Sequence, residues 1–235
     1  MTDGATPASN RPPSERAGLT APVTTSAVIF DLDGVLVDSG AHHRAAWTAL
    51  LGELGVAVPS EFWRLTIGRT ADEALPHLLG RPLSPSEVRQ LSRRKHEHYV
   101  TFSRAGLPAV AGAPAFVTSL VRLGVPRAVA TSARGTDATR LLGNLGLLAH
   151  FEVIVAAEDV RRGKPAPDVF LTAAEHLGIR PEACLVFEDS VLGVQAGREA
   201  GMRVIGVTTG YTAAELTAAG AERCIADFEA CRWPM

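Results

Sequence analysis

The 235-residue sequence predicts an α/β fold: a doubly wound, Rossmann-like parallel sheet with an inserted small helical domain. Three observations predict it. Five short apolar runs, at residues 27–30, 128–130, 153–156, 184–187 and 204–207, are rich in Val, Ile, Phe and Ala and show no period-2 alternation, as suits strands buried on both faces. Helical patterns separate the later runs, and strand–helix–strand alternation implies right-handed crossovers in a parallel sheet. The stretch from about 41 to 106 breaks this rhythm, with several helical patterns and no strand between the first and second runs.

Residues 1–26 come first. They are rich in Pro, Ser, Thr and Ala and have no apolar core, so they read as a disordered tail and not as a signal peptide. Asp3, Glu15 and the scattered prolines favour a tail over a transit peptide. After the first run, residues 42–54, 71–79 and 84–99 are the helices of the insertion, and Pro85 suits a first helical turn behind Ser84. Gly40 and residues 106–108 are its expected hinges. The predicted division is therefore an α/β core over 27–40 and 107–235 and a helical cap over 41–106. Beyond Asp137, Leu141, Leu142, Leu145 and Leu148 recur at helical spacing. Asp168 is placed to cap a helix carrying Phe170, Leu171, Ala174 and Leu177, which ends at Gly178. A further helix over 190–200 carries Val191, Val194 and Ala200 before Gly201.

Composition narrows the function. Lys plus Arg is 23 and Asp plus Glu is 25, a formal net charge of −2. Such a chain has no global pull toward nucleic acid or anionic lipid. No apolar run approaches the roughly 18 residues of a membrane helix. Three cysteines are too few for a disulfide framework and indicate a reducing, cytoplasmic setting.

The chemistry-bearing residues gather at strand ends. The first run leads into Asp31-Leu32-Asp33-Gly34, the second into Thr131-Ser132, and the fourth into Glu188-Asp189-Ser190; a loop after the third carries Gly163-Lys164-Pro165. In an open parallel sheet, ligands bind beyond the carboxyl ends of the strands, so all four clusters should face one crevice. Asp31, Asp33, Glu188 and Asp189 raise one another's pKa and call for a hard cation, with magnesium fitting sparse carboxylates, water and a phosphate oxygen. Lys164 adds positive charge, and Thr131 and Ser132 add donors; together they describe a site for a phosphoryl group. In an Asp-x-Asp pair, one carboxylate can attack phosphorus while the other protonates the leaving oxygen and then deprotonates a water. Asp31 is assigned as nucleophile and Asp33 as general acid/base.

The strings FDLDGVLVDS, TS, GKPAPD and FEDS followed by GVQAGREAGM resemble, in order and spacing, the four motifs of the haloacid dehalogenase superfamily, over roughly residues 27–228. The chain is most similar to the branch with a helical cap after the first motif, which includes β-phosphoglucomutase and phosphoglycolate and sugar-phosphate phosphatases. The resemblance implies an aspartyl-phosphate on Asp31 and an acid/base Asp33 whose backbone carbonyl also meets magnesium. It implies Asp189 and neighbouring Glu188 as metal ligands. It further implies Thr131, Lys164 and nearby Ser132 around the phosphoryl group.

His43 has two readings, as a hinge residue that times the acid/base group and as ordinary packing. Arg69 likewise reads as a substrate contact or as a solvated loop residue. Trp47 reads as cap packing. The basic run at 93–98 reads as a solvated face, since His96 and His98 point different ways. Where the mutase carries cationic and polar grips on a second phosphate, this chain has Ile67, Ala71 and Gly135. The expected function is therefore a magnesium-dependent phosphatase acting on a small phosphorylated metabolite, with a phosphosugar mutase as alternative and a non-catalytic binding module behind both. No nucleic-acid or membrane partner is expected, and the expected state is a monomer or weak dimer.

Overall fold

The computed structural model describes Met1 and residues 25–60 and 62–235. Among the described residues, six strands form one parallel sheet: β1 (Ala27–Phe30), β2 (Arg127–Ala130), β3 (Val153–Val155), β4 (Cys184–Glu188), β5 (Arg203–Val207) and β6 (Arg223–Ile225). Their order is β3-β2-β1-β4-β5-β6. The chain thus builds outward from β1 in one direction and from β4 in the other. The loops after these two central strands diverge, which opens a crevice at their carboxyl ends.

The missing alternation in the apolar runs has a direct cause. Val28 and Phe30 of β1, with Leu185 and Phe187 of β4, enter one core cluster; Ala27 and Ile29, with Cys184 and Val186, enter the other. Helices α5 (Ala113–Arg122) and α6 (Gly135–Asn144) cover the first face, and α7 (Asp168–Leu177), α8 (Val191–Glu199) and α9 (Ala213–Ala219) cover the second. Both faces are therefore apolar. Phe30 and Phe187 are register partners and stack with centroids 5.3 Å apart and planes 9° apart. Each is fully buried, which stabilises by roughly 1.5–3 kcal/mol per ring. This stack fixes the two strand ends that carry Asp31 and Glu188.

Between β1 and α5 lie the four helices α1 (Gly40–Glu53), α2 (Phe62–Thr66), α3 (Ala71–Leu79) and α4 (Pro85–Phe102). They own a third apolar cluster of Trp47, Leu50, Phe62, Ala74, Leu75 and Leu78, so Trp47 packs as expected. Thr70 and Ser84 open α3 and α4 with capping boxes to Glu73 and Glu87.

Several expectations need correction. The sheet has a sixth strand, β6, whose short, half-exposed Arg-Cys-Ile sequence gives no apolar signal. The five-residue α2 is too short to show periodicity. Asp168 begins α7 and does not cap it; the N-cap is Pro167. Of the expected tail, Thr25 and Ser26 belong to the core: Thr25 Oγ1 accepts from Arg203 at 2.7 Å and Ser26 N donates to Ala183 O at 2.7 Å. Residues 2–24 of that tail lie outside the described residues.

Candidate active site

The ladder between β1 and β4 runs one bond past β1, where Asp31 N donates to Phe187 O at 3.0 Å. The chain then turns: the amides of Val35, Leu36 and Val37 all donate to Leu32 O. Gly34 sits in this turn with φ +76°, and a Cβ there would fall onto the Asp189 carboxylate. Both the left-handed backbone and the close approach demand glycine.

Lys164 is the charge at the centre. Its Nζ lies 2.7 Å from Asp31 Oδ1 and 2.5 Å from Glu188 Oε1. The other oxygen of Glu188 accepts from Ser190 N at 2.8 Å and Ser190 Oγ at 2.9 Å. Ser190 Oγ in turn accepts from Gly193 N and caps α8; this role falls to Ser190 and to neither Glu188 nor Asp189. Burial works against the Lys164 charge, but Asp31 and Glu188 outweigh it and hold its pKa up. Burial, reinforced by Glu188, pushes Asp31 up despite Lys164. Burial, then Glu188 and Asp31, push Asp189 up as well. One carboxylate oxygen from each of Asp31, Glu188 and Asp189 lies within 4.8 Å of the other two, and all three residues are buried. One ammonium against three carboxylates leaves an excess of negative charge in a dry place. An all-oxygen donor set of that charge fits a hard divalent cation.

Asp33 stands apart from this trio. Its Oδ1 is 3.2 Å from His43 Nε2 on α1, and Lys95 Nζ on α4 is 2.8 Å from His43 Nδ1. An ammonium can only donate, so Nδ1 accepts and Nε2–H donates to Asp33. Burial, then the Lys95 charge, push His43 below its ordinary range and keep it neutral. Burial opposes the ionised form of Asp33, but the contact with His43 outweighs it and holds the carboxyl low. Burial lowers Lys95 to about 8. Tyr99 stacks on the His43 ring at 4.2 Å.

Sequence reasoning missed Lys95. It lies in the basic run read as a solvated face, yet it is buried against the site. The signal was its spacing: Ser92, Lys95 and Tyr99 are the buried residues of α4 and share one helical face. His96 also departs from that reading, with Nδ1 3.3 Å from Asp137 Oδ2. The neighbouring Arg94 and His98 pair with Glu53. Cys231, near the end of the chain, is buried.

A cavity of about 480 Å³ opens between the sheet and the inserted helices. Asp31, Asp33, Thr131, Ser132, Lys164 and Asp189 line its floor, and His43, Arg69, Trp47, Trp63 and Tyr99 line its other walls. Glu188 lies behind Lys164. Thr131 Oγ1 accepts from Ala133 N at 3.0 Å, but the N-cap of α6 is Arg134, so neither Thr131 nor Ser132 caps that helix. Arg69 Nε is buried in the wall and has no hydrogen-bond partner among the described residues. The four clusters thus meet in one crevice.

A family model described as haloacid dehalogenase-like hydrolase matches residues 28–207. The chain belongs to the haloacid dehalogenase-like hydrolase family. It is 32% identical over 206 residues to the validoxylamine A 7'-phosphate phosphatase of Streptomyces hygroscopicus subsp. limoneus, covering 88% of this chain and 95% of that protein. It is 33% identical to the fructose-1-phosphate phosphatase of Escherichia coli (strain K12), covering 77% of this chain and 96% of that protein. It is 30% identical to the β-phosphoglucomutase of Bacillus subtilis (strain 168), covering 78% of this chain and 84% of that protein. In this haloacid dehalogenase-like chain, no helix among the described residues is long and apolar enough to cross a membrane.

Proposed function

We propose that this chain is a magnesium-dependent phosphatase that hydrolyses a small phosphorylated metabolite of the sugar-phosphate class. The observation that carries the reading is Lys164 bridging Asp31 and Glu188, with Asp33 two residues away under separate control by His43.

Asp31 Oδ attacks phosphorus, and the bond from phosphorus to the leaving oxygen breaks. Asp33 gives its proton to that oxygen, then takes one from the water that attacks the aspartyl-phosphate. The products are an alcohol and inorganic phosphate, and Asp31 returns to its carboxylate. While His43 donates to Asp33, the carboxylate stays ionised, which is its base form; it takes up a proton when that bond is lost. Lys164, Thr131 and Ser132 hold the phosphoryl oxygens. Asp31, Asp189, Glu188 and the Asp33 carbonyl are the groups to hold magnesium, whose charge offsets that of the carboxylates and of the phosphoryl group. The helices over 41–106 act as the cap, exclude bulk water and select the leaving group through residues such as Arg69 and His43. The enzyme works in the cytoplasm as a monomer or weak dimer, without nucleic acid or membrane; its three free cysteines suit a reducing compartment.

A second reading, a phosphosugar mutase, draws on the similarity to a β-phosphoglucomutase. Its grip on a second phosphate is weak in this chain. Ile67 is apolar and buried, and Gly135 N already donates to Glu158 Oε1 at 2.9 Å, so an anion there meets a carboxylate.

The test is phosphate release from a panel of phosphorylated sugars, polyols and glycolate with magnesium present. Release from a few members that stops on adding chelator is expected. No release from any member, with turnover of β-glucose 1-phosphate only when a bisphosphate primer is added, overturns it in favour of the mutase.

A further inference from the structure

Thr209 follows β5 and lines the active-site cavity. Its Oγ1 donates to Gly34 O at 2.5 Å and lies 3.5 Å from Asp189 Oδ2. A Cβ on Gly34 or on Gly210 would run into the Asp189 carboxylate. That carboxylate therefore sits in a slot walled by Gly34, Thr209 and Gly210. Its neighbours are held by strong partners: Asp31 by Lys164, Glu188 by Lys164 and Ser190, Asp33 by His43. Among the described residues, the hydroxyl facing Asp189 Oδ2 is that of Thr209.

We propose that Thr209 is a positioning residue of the metal site, whose hydroxyl locks the turn carrying Asp31 and Asp33 against the Asp189 carboxylate. The inference rests on the magnesium reading above and extends it to a residue outside the four motifs. The hydroxyl has one proton and two acceptors in reach. It serves the nearer, Gly34 O, which fixes the turn; the oxygen then stands as a fixed wall beside Asp189. Without the hydroxyl, the Gly34 carbonyl loses its partner and Asp189 gains room to rotate away from Asp31. Groups that orient metal ligands in this way are typically worth 10–100-fold in metal affinity.

The experiment is a calorimetric titration of the full-length protein with magnesium, without substrate. It compares wild type with Thr209→Ser, which keeps the hydroxyl, and with Thr209→Val and Thr209→Ala, which remove it. Val and Ala are expected to raise the magnesium Kd about tenfold, and Ser to stay within about twofold. Turnover by Ala should recover as magnesium is raised to saturation. Equal Kd values for Ser and Ala overturn the proposal, because those variants differ only in the hydroxyl. If wild type shows no saturable magnesium binding, the metal reading itself fails, and this inference falls with it. Those two failures are distinct results of the same titration.

Discussion

Lys164 Nζ lies 2.7 Å from Asp31 Oδ1 although 133 positions separate the two residues in the chain. The same nitrogen meets Glu188 Oε1, so one buried ammonium joins the ends of the two central strands. Such a pair is costly to desolvate, and its worth shows when one partner is removed.

Lys164→Met leaves two carboxylates facing each other in a dry site. Removing one partner of a buried pair costs about 3–5 kcal/mol. Urea unfolding of wild type and variant near neutral pH should show a loss of that size, together with loss of phosphate release. A variant as stable as wild type would contradict the arrangement.

Lys95 is held near pKa 8, below its ordinary 10.5, by burial. Its folded pKa is depressed, so the unfolded chain binds the extra proton between those values, and stability rises with pH across that window. A difference of about 2.5 units amounts to about 3 kcal/mol. Relative to Lys95→Met, wild type should gain up to that amount between pH 8 and pH 10.5, measured by urea unfolding at stepped pH. A flat difference across the window would show that Lys95 is not buried against His43.

Gly193 lies inside α8, where Ala is ordinarily better than Gly by about 1 kcal/mol. A Cβ at this position would overlap the Glu188 carboxylate. Gly193→Ala should therefore destabilise by about 1–3 kcal/mol, as overpacking does. It should also slow phosphate release by displacing Glu188 from Lys164. Thermal melting and a turnover assay check both signs, and a raised Tm would refute the close approach.

Much of the molecule was legible in the residues, for physical reasons. The strands β1 and β4 showed as unbroken apolar runs because neighbouring residues feed opposite cores. Asp31, Asp33, Thr131, Lys164 and Asp189 showed because a parallel sheet sends its strand ends to one crevice. What stayed hidden depended on contacts between distant segments. Lys95 looks like any helix-surface lysine until α4 packs over His43. Thr209 carries no signal of its own, since its meaning lies in Gly34 and Asp189. β6 is short and half-exposed and owes its pairing to β5, which propensity does not report.

The most direct measurement is acid-quenched mass spectrometry of Asp33→Asn after mixing with magnesium and 4-nitrophenyl phosphate, whose leaving group needs no proton from Asp33. The variant keeps the nucleophile but lacks the base that clears the intermediate. A phosphoryl group is expected on the peptide containing Asp31, absent when Asp31→Asn is treated in the same way. An unmodified Asp31, together with phosphate release that persists in Asp31→Asn, would contradict the assignment of Asp31 as nucleophile.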